Sequence, residues 1–130
     1  MYEVGVSHTF QAWHIMPGME GPEGRLHTHD YRLEVVVVRA ELDGSGMVVD
    51  IDVLNDAVKK TIARVEDQNL ERIQPSDADA VTVEVFSRWA HRELTALINR
   101  GGDKTLSVRI WESPVAFGGY SGAPHRDSSS

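Results

Sequence analysis

The 130-residue chain contains no cysteine, which excludes disulfides and any thiolate nucleophile and leaves the redox compartment open. It also lacks any apolar run approaching the ~20 residues of a membrane span, and its N-terminus carries no basic-then-apolar leader. A cytoplasmic protein without a membrane partner is therefore expected. Clusters of Lys or Arg are missing as well. With 13 Lys and Arg against 20 Asp and Glu, the formal charge is −7, which argues against a nucleic-acid surface, because such surfaces draw their affinity from neutralising phosphates. Small molecules are the expected ligands. The length suits one core, so residues 1–122 are read as a single domain, with 123–130, ending Arg-Asp-Ser-Ser-Ser, as a disordered tail.

What the chain does have is hydrophobic alternation with histidines at its ends. Tyr2, Val4, Val6, His8, Phe10, Ala12 and His14 fall on one face of a strand; Glu3, Gly5, Ser7, Thr9 and Gln11 fall on the other. Residues 15–26 hold two prolines and three glycines and read as a loop. A second strand follows, in which His27, His29, Tyr31, Leu33, Val35 and Val37 alternate with Thr28, Asp30, Arg32 and Glu34 before the run becomes apolar on both faces. A strand places residues i and i+2 on the same face, so His27 and His29 project side by side. If the two runs pair antiparallel, His14 lies opposite the start of the second. Three imidazoles with a fourth position open is the ligand set of a catalytic rather than a structural zinc site. Alone, a His-x-His pair on a strand is a short pattern that arises by chance; the third histidine in register is what points to a metal. His8, His91 and His125 have no such partner in the pattern and read as surface or packing residues.

Asp43-Gly44-Ser45-Gly46 supplies turn residues, followed by the short apolar Met47-Val48-Val49. Ile51, Leu54, Val58, Ile62 and Val65 then repeat at helical spacing, capped by Asp50 or Asp52. Glu66 to Val81 is polar and reads as a long connection. Thr82 suits the N-cap of a second helix, with Glu84 in its first turn, the stripe Val83, Phe86, Ala90, Leu94 and Leu97, and Gly101-Gly102 to end it. Leu106, Val108 and Ile110 mark a third strand, and Ala116 to Tyr120 a short fourth. The order ββααββ predicts an α+β fold, an antiparallel four-stranded sheet with two helices on one face. The bare sheet face and the strand edges call for a cover, which copies of the chain supply by joining their sheets into a barrel, so an oligomer is expected.

Several segments carry a resemblance to a known family. Phe10-Gln11-Ala12-Trp13-His14, Leu26-His27-Thr28-His29-Asp30-Tyr31, Leu42-Asp43 with Gly46-Met47-Val48-Val49-Asp50 and Leu54, Thr82-Val83-Glu84, and Trp111-Glu112-Ser113-Pro114 resemble, in this order and across residues 4 to 120, the 6-pyruvoyl tetrahydropterin synthase family, which includes bacterial 6-carboxytetrahydropterin synthases. The resemblance implies a tunnelling fold and a homohexamer of two stacked trimers with the site between subunits. It matches His14, His27 and His29 to zinc ligands and Glu112 to the glutamate that anchors the pterin ring, whose N–H groups a carboxylate accepts as a pair. It also places Thr82 and Glu84 near the same pocket, positions that helix capping explains equally well.

The departures from the family pattern bear on activity. Where the family carries a cysteine, four residues before the first histidine of the His-x-His pair, this chain has Glu23. The segment Glu23-Gly24-Arg25-Leu26-His27 resembles a subgroup that cleaves the side chain of dihydroneopterin triphosphate to 6-hydroxymethyl-dihydropterin, and a carboxylate serves as general base when its pKa is raised. The family's relay Asp-His pair is replaced by Glu66-Asp67, and Thr28 stands in place of the usual glycine between the two histidines. The expected function is thus binding of a pterin-like or purine-like ring at a subunit interface without standard synthase activity. The alternative is a zinc-dependent lyase with Glu23 as general base and Glu66 and Asp67 as further candidate proton carriers.

Overall fold

The computed structural model describes residues 1–15, 21, 26–98 and 103–124. Four strands, β1 (Tyr2–His14), β2 (His27–Arg39), β3 (Lys104–Ser113) and β4 (Ala116–Gly122), form one antiparallel sheet in the order β1-β2-β3-β4. Two helices, α1 (Ile51–Ala63) and α2 (Val83–Leu97), lie between β2 and β3 in sequence and pack on one face of that sheet, α1 against β1 and α2 against β3 and β4. The α+β expectation holds. The fourth strand runs two residues beyond the expected end, to Gly122.

Alternation decides which face is covered. Phe10 and Ala12 from β1, Tyr31, Leu33, Val35 and Val37 from β2, and Leu106, Val108 and Ile110 from β3 form the buried side of the sheet. They meet Leu54, Ala57, Val58 and Ile62 of α1 and Phe86, Ala90 and Leu94 of α2. Burying each of these large side chains is worth about 1.5–3 kcal/mol, so the core rests on the period-2 and period-3.6 stripes together. The helical stripes are narrower than the sequence spacing suggests, because their end members Ile51 and Leu97 are exposed.

Both helices begin where the capping residues place them. Asp50 accepts from the Asp52 backbone N–H at the start of α1, and Thr82 Oγ1 accepts from the Val85 N–H at 3.1 Å at the start of α2. The polar stretch after α1 is more ordered than a plain connection. Asn69 caps a short 3-10 turn at Leu70–Ile73, and the chain before it is tied to the end of β1 by Asp67 N–H to Gln11 O and Trp13 N–H to Gln68 O, both 2.8 Å. The expected Gly101-Gly102 helix stop and most of the expected disordered tail, residues 125–130, lie outside the described residues, as does most of the loop after His14.

The opposite face of the sheet is polar and aromatic. Glu34 there lies 3.6 Å from both Arg32 and Arg109, and those guanidinium groups stack over the Trp111 and Phe117 rings at 4.6 and 4.7 Å. No helix of the described residues is long and apolar enough to cross a membrane.

Candidate functional site

The β1–β2 register puts His14 opposite His27 and Ala12 opposite His29, the arrangement anticipated from the alternation. His14 is buried at 8 % exposure, and the three rings gather with centroids 5.9 Å (His14–His27), 6.2 Å (His14–His29) and 4.6 Å (His27–His29) apart. Tyr31, the next residue on that face, stacks on His29 at 5.4 Å and is itself held by Phe10 and Phe86 at 5.6 Å each. The histidines thus stand on an aromatic floor that continues into the core. Thr82 and Glu84, at the first turn of α2, and Glu112, at the end of β3, complete the lining of one cavity of about 450 Å³ together with Val81, Phe86 and Ser113. Three segments far apart in sequence therefore meet there.

Glu112 reaches the cavity because β3 ends irregularly. Trp111 pairs with Phe117 and Ser113 with Ala116, so Glu112 falls at a register shift between them and has no partner on β4. A bulge re-aims the side chain it carries, and bulges recur beside functional sites for that reason. Here the carboxylate borders both the histidine cavity and an adjoining concavity of about 640 Å³ that includes Arg32, Trp111 and Pro114. Burial, reinforced by the Glu112 carboxylate, pushes the Tyr31 hydroxyl well above the usual tyrosine range, so it stays a hydrogen-bond donor at any physiological pH. The cavity accordingly holds carboxylate acceptors, hydroxyl donors and imidazoles side by side. Sequence reasoning passed over Tyr31 as a lining residue although the i+2 step from His29 points to it.

The donor set of His14, His27 and His29 suits zinc chemically, since neutral imidazole is a good borderline ligand. Its present arrangement is that of a hydrogen-bonded pair. His27 Nε2 and His29 Nε2 lie 2.7 Å apart, one donating to the other. Two nitrogens on a tetrahedral ion at ~2.0–2.1 Å stand about 3.3 Å apart, so these would have to separate by about 0.6 Å. Among the described residues no group of three or more His, Cys, Asp or Glu is disposed to hold a metal ion.

Burial, with the neighbouring His29 and His27 adding to it, lowers the pKa of His14 from the usual histidine value. The folded chain therefore binds fewer protons at this site than the unfolded one, and the stabilisation is complete above the unfolded value near 6.5 and lost as pH falls from there through the lowered folded value. Urea midpoints at pH 7.5 and 5.5 should drop more for the wild type than for His14→Gln. Equal drops would remove His14 from the acid sensitivity of the fold.

Glu66 and Asp67 are not brought into the histidine cavity of the same chain. They line a separate concavity with Thr9, Phe10, Gln11 and Asp30. Asp67 adopts the left-handed conformation, φ 58°, that lets its N–H turn back to Gln11 O. Glu23 lies outside the described residues. Of the remaining histidines, His8 Nε2 bonds Asn55 Oδ1 at 2.6 Å, and His91 is buried with its Nε2 3.2 Å from Gly122 O, packing roles as expected; His125 lies outside the described residues.

Comparison with known proteins converges on one family. Residues 3–123 match the family model for 6-pyruvoyl tetrahydropterin synthase. The 6-carboxy-5,6,7,8-tetrahydropterin synthase of Haemophilus influenzae is 26% identical over 148 residues, covering 92% of this chain and 99% of the relative. Among solved structures, the 6-pyruvoyl tetrahydropterin synthase of Caenorhabditis elegans superposes with a TM-score of 0.72 at 20% identity, covering 94% of this chain and 96% of that one. The Plasmodium falciparum enzyme of the same name gives 0.74 at 16% identity, covering 94% and 98%. At these identities the structural likeness speaks for the fold.

Proposed function

The chain belongs to the 6-pyruvoyl tetrahydropterin synthase family, and from that premise we propose that it binds a pterin-like or purine-like ring in the histidine cavity without performing the standard synthase reaction. One observation carries the reading: Glu112, Thr82, Glu84 and the three histidines line a single cavity, about 450 Å³, within the range of small-ligand pockets. The Glu112 carboxylate would accept the two N–H groups on the guanidine-like edge of the ring. Tyr31 and Thr82 supply hydroxyl protons, the Thr82 oxygen using only a lone pair for its helix cap. Glu84 offers a further acceptor. His14, His27 and His29 would hold a zinc ion, which when bound polarises a substrate oxygen. The sheet edges at β1 and β4 and the uncovered sheet face support association of copies, and the family resemblance supplies the hexamer with the cavity shared between them.

Absence of synthase chemistry rests on the missing cysteine and on Asp67 in the place of the relay histidine. A carboxylate at Glu23, four residues before His27, favours the second reading, in which it acts as general base in cleaving the side chain of dihydroneopterin triphosphate. Zinc-supplemented protein incubated with that triphosphate separates the two. Recovery of unchanged triphosphate is the expected result. Release of 6-hydroxymethyl-dihydropterin that disappears in Glu23→Gln would replace the binding reading with the lyase.

A further inference from the structure

We infer that a further concavity, bordered by the end of α1, the 3-10 turn and the outer side of α2, is a binding site for polyphosphate-bearing ligands. Its volume is about 540 Å³, and Arg64, Arg72 and Arg92 all line it, with Trp89, Gln68 and Gln74. No carboxylate is among its lining residues, although the chain carries 20 Asp and Glu. Of the seven described arginines, Arg32, Arg39, Arg64, Arg88 and Arg109 each pair with a carboxylate within 4 Å. The two without such a pair, Arg72 and Arg92, both belong to this cavity. Arg72 is instead oriented by Gln68, Nη1 to Oε1 at 2.7 Å, and Arg64 by Glu93 at 3.1 Å.

Like charges gathered around a concavity repel one another and are relieved by an anion. Guanidinium forks match phosphate oxygens in pairs and lose little freedom in doing so, which favours a compact phosphate chain over a single carboxylate. The negative end of α1 points toward this region, yet its Thr61 and Ile62 carbonyls are already taken by the N–H groups of Arg64, Val65 and Glu66. Trp89, half-buried, adds an aromatic surface that would stack with a ring attached to the phosphates. The cavity shares no lining residue with the histidine cavity, so the inference stands apart from the pterin reading.

Titration calorimetry of the full chain at low ionic strength, with inorganic tripolyphosphate and with ATP as the two probes, tests it. Both should bind, with affinity falling as salt is raised, and R72A/R92A should weaken both at least tenfold. These are exposed side chains whose loss leaves the core intact. Tighter binding of ATP that reverts to the tripolyphosphate level in Trp89→Leu would assign the ring to the indole; equal binding of the two probes would assign the phosphates alone. No binding of either probe at millimolar concentration overturns the site. Binding that is unchanged in R72A/R92A overturns it equally, since the anion would then sit elsewhere, as among the histidines.

Discussion

Glu112→Gln is expected to weaken neopterin or biopterin binding by roughly 1–3 kcal/mol, about 5- to 150-fold, while leaving the fold intact. The substitution keeps size and shape but turns one acceptor oxygen into an N–H donor. A ring edge that presents two N–H groups then faces a donor across a desolvated contact, and the penalty is that of an unmade hydrogen bond rather than of a lost one. Folding should be indifferent, because Glu112 sits at the β3 register shift, exposed in the chain by itself and outside the β3–β4 pairing. Removing the negative charge beside Tyr31 also takes away one of the two influences that raise the tyrosine's pKa, so its phenolic titration should begin at lower pH in the variant. Titration calorimetry of wild type against variant measures the first effect and ultraviolet absorbance the second. Equal ligand affinities would sink the anchor assignment; a lowered tyrosine titration alongside them would show that the carboxylate is nonetheless where the structure puts it.

How far the site could be read in advance depended on the range of the interactions that build it. The histidine cluster needs only strand alternation and one hairpin, and the His14–His27 register followed from the positions of the apolar residues in two adjacent runs. Caps at Asp50 and Thr82 are equally local, each a side-chain oxygen and an N–H within three residues. Glu112 is different. Alternation put it on the face of Val108 and Ile110, and its final direction comes from a register shift that depends on β4 pairing, which a single segment does not encode. The 3-10 turn was hidden for a similar reason: the stretch is polar, and what orders its approach is backbone hydrogen bonding to β1, a partner more than fifty residues earlier in the chain. Glu66 and Asp67 occupy a recognisable place in the sequence pattern, and the same bonds set them in a concavity of their own chain that is separate from the histidine cavity.

The junction between α2 and the sheet gives the second large effect. Gly118→Ala should destabilise the protein by about 1–3 kcal/mol and weaken pterin binding at the same time. Gly118 is buried opposite Ile110 on β4, where the first turn of α2 comes down on the strand. A Cβ there would lie 2.6 Å from Val83 Cγ2, 2.9 Å from the Glu84 backbone nitrogen and 3.1 Å from Glu84 Oε1. The valine methyl could rotate away, but the nitrogen is part of a helical turn pinned by Thr82 Oγ1 to Val85 N–H, so relief requires the whole N-terminus of α2 to lift from the sheet. That movement would carry Thr82 and Glu84 out of the histidine cavity, coupling a steric fault behind the site to loss of its polar wall. Glycine is thus required at 118 for closeness of approach, with no demand on φ. Gly44→Ala is the control, since a Cβ at 44 meets nothing within 4 Å, and its stability should change by less than about 0.5 kcal/mol. Urea midpoints of the two variants, followed by neopterin titration under conditions where both are folded, separate the outcomes. A Gly118→Ala midpoint equal to that of Gly44→Ala would mean the helix end yields freely and does not hold the cavity wall; a lowered midpoint with undiminished affinity would detach Thr82 and Glu84 from ligand binding and leave them as helix caps alone.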